Sequence, residues 1–154
     1  MSVTVRGPDG SGQLDAYEVP GGWTVTVQTL AFTVTADGTA GVHRVRVRYI
    51  SSGDVRVATL DDLNESGPGL TTTYTYGLGL NASACTTVDG LAVTDALPWT
   101  ELSDGAVVRI TTIDDNGNEI TGDTITAVVL QIDSPQVQTL QLQKIVEMPA
   151  AMAV

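Results

Sequence analysis

The feature of this sequence that most constrains its fold is the alternation of apolar and polar residues along most of its length. Successive side chains of a β-strand point to opposite faces, so such alternation buries one set and exposes the other. Turn-forming residues interrupt the pattern about every 8 to 12 residues, which is typical of sandwiches and barrels. The sequence therefore predicts an all-β, antiparallel β-sandwich of jelly-roll type. The clearest alternating segments are 23–27, 45–49, 71–76 and 124–130.

One long alternating segment, residues 23–35, changes parity in its middle. Val25 and Val27 would lie on one side of the extended chain, whereas Phe32 and Val34 would lie on the other. An extra residue near Gln28 would return both pairs to one face, so we expect a β-bulge or a bend between sheets there.

A second local signal is the dipeptide Asn116-Gly117, which lies between predicted strands at 106–113 and 120–132. Both positions tolerate the positive φ that a tight hairpin turn requires. We therefore expect these two strands to form a hairpin.

The charge of the chain excludes several classes of partner. Its 154 residues, enough for one domain, include 18 acidic and 7 basic side chains, which gives a net charge of −11. Because a field of this sign repels phosphates, we expect no nucleic-acid partner.

No apolar run is long enough for a signal peptide or a membrane helix. We therefore expect that the protein does not associate with a membrane and that it is made in a cytoplasm.

Residues that could carry out a reaction are few. The single histidine, His43, has no serine, cysteine or second histidine at a telling spacing, and the single cysteine, Cys85, has no basic neighbour to activate its thiol. The acidic loop 114–119 resembles a calcium loop, but Ile125 stands where the bidentate glutamate belongs. We expect no catalytic residue, no cofactor and no metal. Carboxylate pairs for glycoside hydrolysis stay open.

Three arginines, Arg44, Arg46 and Arg48, recur at every second position of one predicted strand and therefore share one face. Two interpretations are open. The row is a contact surface for carboxylates of a neighbouring subunit, or it pairs with acidic residues on the adjacent strands of its own sheet.

The chain changes character after Pro135. We expect a sandwich domain over residues 1–135, followed by residues 136–154 as a final strand or as an arm that contacts another subunit. Both alternatives stay open, because the segment alternates glutamine with apolar residues and ends without charges. The candidate contact residues of the arm are Val137, Leu140, Leu142, Ile145, Val146 and Met148.

The order of these segments over residues 17–133 resembles the small β-sandwich virion structural proteins of tailed bacteriophages, especially those that infect actinobacteria. The resemblance implies a non-enzymatic subunit that is displayed on the capsid or built into the tail and is usually oligomeric. It rests on Pro20-Gly-Gly-Trp23, Leu30–Thr35, Val42–Tyr49, Leu70–Tyr76, Gly77-Leu-Gly79, Leu97-Pro-Trp99, Leu102–Ile110 and Thr121-Gly-Asp-Thr-Ile125.

The leading hypothesis is a capsid decoration or minor capsid subunit that forms a small homo-oligomer, such as a trimer, and binds the major capsid protein. It would be made in the cytoplasm of a bacterial host and reside in the virion. An alternative is a tail or receptor-binding protein that recognises a host surface. A carbohydrate-active enzyme is a third interpretation.

Overall fold

A computed structural model of the chain describes residues 2–80 and 91–136. These residues form eleven strands, of which the longest is β4. Within these ranges, no helix is long and apolar enough to cross a membrane. The strands are β1 Ser2–Arg6, β2 Gly10–Ser11, β3 Gln13–Glu18, β4 Thr24–Thr35, β5 Arg44–Ile50, β6 Arg56–Asp61, β7 Thr71–Gly77, β8 Leu91–Ala96, β9 Glu101–Ser103, β10 Val107–Ile113 and β11 Thr124–Asp133.

The strands form two sheets that pack face to face as a β-sandwich, which confirms the predicted fold class. The larger sheet has the order β1-β11-β4-β7-β8, with β2 added to β11 and β9 added to β4. The smaller sheet has the order β3-β10-β5-β6. Strands β7 and β8 run parallel, so the larger sheet is mixed rather than wholly antiparallel as predicted. A parallel pair requires a crossover connection, and the alternation within each strand carries no information about that connection.

The core lies between the inner faces of the two sheets. Within it, the Phe32 and Tyr74 rings stack with their centroids 5.3 Å apart, and Tyr76 packs 5.8 Å from Phe32. Adjacent strands β4 and β7 bring these rings together, because Phe32 lies opposite Tyr74 in the register. Other fully buried apolar residues include Val25, Leu30, Val108, Ile110, Ile125 and Leu130.

The predicted parity change in β4 is confirmed as a β-bulge. The register with β11 pairs Thr29 with Gln131 and then Val27 with Ile132, so Gln28 is the extra residue. Val27 and Phe32 are therefore both buried although their positions differ in parity. The bulge keeps one buried face along all of β4.

The hairpin predicted at Asn116-Gly117 is only partly correct. The turn is present, with Gly117 at φ 81° and one antiparallel bridge between Ile113 and Glu119. However, β10 belongs to the smaller sheet and β11 to the larger one, so the chain crosses between sheets after the turn. The Asn116-Gly117 pair correctly predicted a turn. Which strands then pair is determined by the packing of the two sheets.

Candidate functional site

The outer surface of the smaller sheet concentrates the positive charge of the protein. Strand β5 turns Val45, Val47 and Tyr49 into the core, and its alternation therefore places three arginines on the solvent side. Strand β10 adds Arg109, which lies directly opposite Arg48 in the register. We call this surface the arginine face; its members are Arg44, Arg46, Arg48 and Arg109.

Arg46 and Arg109 of the arginine face have carboxylate partners on adjacent strands. Arg46 donates to both oxygens of Asp61 at 2.6 and 3.1 Å. Arg109 donates to Asp15 Oδ1 at 2.7 Å. These hydrogen bonds raise the pKa of both guanidinium groups.

Arg44 completes the set of paired arginines. Its guanidinium forms ion pairs with Glu65 and, at 3.2 Å, with Asp115. Cross-strand pairing within the sheet therefore holds for Arg46, whose partner Asp61 is in β6, whereas the partners of Arg44 lie in loops.

Arg48 differs from its neighbours. Within residues 2–80 and 91–136, its buried Nε has no hydrogen-bond partner, and no carboxylate forms an ion pair with it. The register explains the difference, because Arg48 is flanked by Arg109 on β10 and by Thr59 on β6, whereas Arg46 is flanked by Asp61. Burial lowers the pKa of Arg48, and the nearby charges of Arg46, Arg56 and Arg109 lower it further, with Asp61 opposing them.

The environment of Arg48 is suited to an anion from outside the described chain. A guanidinium donates two parallel hydrogen bonds to a carboxylate, and this pairing is among the stronger polar contacts in proteins. A carboxylate that reaches the solvent-facing part of the Arg48 guanidinium would offset the repulsion from the neighbouring arginines. In the isolated protein, this group is partly desolvated without compensation.

A cleft of about 260 Å³ opens beside the arginine face, where Arg44 and Arg46 meet the turn at 114–117. Its lining also includes Asp61, Asp114 and Asp115, so its positive charges are already paired. Asp114 Oδ1 accepts the amides of residues 116 and 118, each at 2.9 Å, and the bond from residue 118 is the larger cause of its lowered pKa. These carboxylates therefore neutralise arginines and shape the turn.

A second polar cluster lies at one end of the sandwich. His43 Nδ1 contacts the two carboxylate oxygens of Asp123 at 2.9 and 2.7 Å, and Nε2 contacts the Thr39 carbonyl at 2.9 Å. Asp37 joins them, because its amide donates to Asp123 Oδ1 at 2.9 Å. Gly122 permits this approach, since a Cβ there would lie 2.0 Å from Asp37 Oδ2. We call Asp37, His43 and Asp123 the His43 cluster.

The composition of the His43 cluster raises the question of whether it could bind a metal ion or act as a catalytic base. Its three side chains each offer one potential ligand atom, and these atoms lie within 4.8 Å of one another. Both ring nitrogens of His43 are already hydrogen-bonded, however, so the ring offers no free lone pair to a metal or to a nucleophile. Sequence reasoning found no catalytic partner for His43 and missed Asp37 and Asp123. Eighty positions separate His43 from Asp123, and no spacing signal links them.

Several predicted site residues lie outside the described residues. These are Cys85 and the apolar residues of the arm, which are Val137, Leu140, Leu142, Ile145, Val146 and Met148. The described chain ends at Gln136, whose Oε1 accepts the Thr24 amide at 3.1 Å. The first residue of the predicted arm therefore contacts the start of β4.

No protein-family model matches the sequence, and no curated protein is detectably similar to it. Two solved structures from infectious bursal disease virus are similar in shape. One is the crystal structure of its T13 viral particle, with a TM-score of 0.41, 12% identity and 86% of this chain covered. The other is the structure of the Gt strain, with a TM-score of 0.36, 13% identity and the same coverage.

The chain spans 30% of the length of either viral chain. TM-scores in this range do not establish a common fold, and the functional argument therefore rests on the residues of this protein.

Proposed function

We propose that the protein is a non-enzymatic structural subunit of a virus particle, held in place by docking its arginine face on carboxylates of the major capsid protein. The observation that carries the proposal is the buried Nε of Arg48, which lies beside Arg46 and Arg109 and has no hydrogen-bond partner in the part of the chain that the structure describes. A strongly acidic chain that assembles four arginines on one sheet face has a surface complementary to acidic partners.

The energetics of such docking favour specificity. Arg48 is partly desolvated before the partner arrives, so part of the unfavourable desolvation is already present in the free subunit. Removing one partner of a buried, hydrogen-bonded charge pair costs about 2–5 kcal/mol of binding energy. Repetition around a symmetric shell then strengthens many individual contacts of this kind.

The one histidine of the chain is not placed to act as a general base. His43 is 2% exposed, and its two ring nitrogens contact Asp123 and the Thr39 carbonyl. A buried ring with both nitrogens engaged does not serve as a general base for a serine or cysteine nucleophile. This environment argues against a reaction that uses a histidine base.

The finer role is a capsid decoration or minor capsid subunit of a tailed bacteriophage, which the resemblance over residues 17–133 supports. In this proposal, the arm at 136–154 is a second contact and the subunit forms a small homo-oligomer, such as a trimer. The apolar residues of the arm would supply the hydrophobic part of the interface, and the arginine face would supply the polar part.

The experiment is to purify particles of the virus that encodes the chain and to measure its copy number by mass spectrometry and its position by electron microscopy. Many copies on the shell support the proposal. A few copies confined to the tail support the alternative role in host recognition. Its absence from purified particles overturns both.

A matched pair of variants tests the docking surface itself. Arg48→Met removes the guanidinium whose Nε has no partner among the described residues, whereas Arg46→Met removes one that already pairs with Asp61. For binding to particles that lack the subunit, we expect Arg48→Met to weaken affinity at least about thirtyfold, which corresponds to about 2 kcal/mol. Equal weakening by the two variants would show only a general dependence on charge and would contradict a specific role for Arg48.

A further inference from the structure

The ring of His43 lies between two hydrogen-bond acceptors. On one side, the Asp123 carboxylate faces Nδ1 at 2.7 and 2.9 Å. On the other side, the Thr39 carbonyl faces Nε2 at 2.9 Å. A backbone carbonyl and an ionised carboxylate only accept hydrogen bonds, whereas a neutral imidazole carries a single N–H. With Asp123 ionised, both contacts are satisfied together only when both ring nitrogens carry protons.

We infer that His43 is a buried imidazolium and that its ring protons latch two connections together at one end of the sandwich. The ring joins the β4–β5 connection, through Thr39, to the residue just before β11, Asp123. The backbone of His43 pairs in both directions with Ser66 in the β6–β7 connection. When one ring nitrogen loses its proton, that nitrogen and the oxygen it faces are both hydrogen-bond acceptors. The contact then becomes repulsive, and the two connections are held together less tightly.

A metal ion fits this geometry less well than a proton. Metal–nitrogen and metal–oxygen bonds of about 2.0–2.2 Å, with angles of about 90–109°, hold ligand atoms about 2.8–3.6 Å apart. The 2.7 Å separation between His43 Nδ1 and Asp123 Oδ2 is instead that of a charge-assisted hydrogen bond. Asp123 Oδ1 is also engaged by the amide of Asp37.

The groups that face the latch come from every element around it. Burial by itself lowers the pKa of His43, but the hydrogen bonds to Asp123 and Thr39 and the charges of Asp123 and Asp37 together raise it. Asp37 remains ionised beside the ring, because the Thr39 amide donates to it and lowers its pKa. From β7 and the loop before it, Tyr74 and Asp62 complete the surroundings; burial and the charges of Asp62 and Asp123 raise the pKa of Tyr74.

The direction of the pH dependence follows from linkage. The folded state binds the proton more tightly than the unfolded state, in which histidine has a pKa of about 6.5. The stabilisation by the latch is fully present below that value. It is lost as the pH rises through the higher pKa of the folded protein, so the latch opens on the alkaline side.

Nitrogen NMR of the uniformly labelled protein tests the inference directly, because the chain contains one histidine and its ring signals need no assignment. We expect two protonated ring nitrogens at pH 6.5 and a titration midpoint above 6.5. We also expect Asp123→Asn to lower that midpoint. A singly protonated ring at pH 6, or a midpoint unchanged by Asp123→Asn, overturns the inference.

Two further measurements address the latch function and the metal alternative. The thermal midpoint of the wild type should exceed that of His43→Gln at pH 6, and the difference should disappear well above the titration midpoint. A difference that stays constant or grows with pH contradicts the latch. Spectra that change when EDTA is added, or a thermal midpoint raised by Zn²⁺ in the wild type but not in His43→Gln, would establish a metal site instead.

Discussion

Replacing Arg48 should stabilise the isolated protein, although the change removes a charged residue from a packed surface. Leaving a buried donor without an acceptor costs about 1–3 kcal/mol, and the Nε of Arg48 is such a donor. Arg48→Met removes that donor and the repulsion from Arg46 and Arg109, while methionine retains much of the aliphatic packing of the arginine stem. We expect a gain of about 1 kcal/mol, which corresponds to about 2–4 °C in Tm for a domain of this size.

Arg46→Met is the matched control, since it lies two residues away on the same strand and face. It loses the two hydrogen bonds to Asp61, so we expect it to lose about 0.5–1 kcal/mol. Urea denaturation followed by fluorescence measures both, with Trp23, which packs against the core, as the reporter. A loss of 1 kcal/mol or more in Arg48→Met would refute the reasoning, because it would show that Arg48 already has a stabilising partner.

Four other predictions concern the sandwich and the arm. Tyr76→Phe should destabilise the protein by about 1.5–3 kcal/mol in urea denaturation, because the buried Asp62 carboxylate loses the hydroxyl that donates to it at 2.7 Å. Tyr49→Phe should be neutral or stabilising in the same assay, since the buried Tyr49 hydroxyl has no partner among the described residues, and a loss above 1 kcal/mol would contradict this. Leu30→Ala should cost about 2–5 kcal/mol, because Leu30 is fully buried between the sheets. Deleting residues 137–154 should abolish particle binding and leave the urea midpoint unchanged; an unfolded product would show that this segment is part of the core.

The local features of the fold were predictable because they depend on neighbours in the chain. The alternation in β5 is sufficient to place Val45 and Val47 inside, since each side chain of a strand points away from the next. The parity change in β4 predicts a β-bulge or a bend near Gln28, and the structure has the bulge, which keeps one face buried. Both predictions required no knowledge of which strands are adjacent.

The features that were missed depend on strand neighbours that the alternation does not specify. Arg46 and Arg48 are equivalent in the sequence pattern, yet one lies opposite Asp61 and the other opposite Arg109 and Thr59. Whether each arginine has a carboxylate partner therefore depends on the strand order β10-β5-β6 and on the register. The interaction role of the arginine row thus stays a prediction, now concentrated on Arg48.

The His43 cluster shows the same limit at longer range. Asp123 reaches His43 because β11 begins next to the connection between β4 and β5, and the absent side chain of Gly122 lets Asp37 approach. In the sequence, Asp37 and Asp123 are acidic residues in turn-like segments, and no spacing or motif distinguishes them. Only the packing of the loops at one end of the sandwich identifies them as partners of a buried ring.

The measurement that tests the central claim most directly is a reconstruction of the virus particle by electron microscopy at side-chain resolution. We predict repeated copies of the subunit on the shell, with the guanidinium of Arg48 donating to a carboxylate of the major capsid protein. Copies that sit on the shell with the arginine face open to solvent, or particles that contain no copy of the chain, would contradict the account.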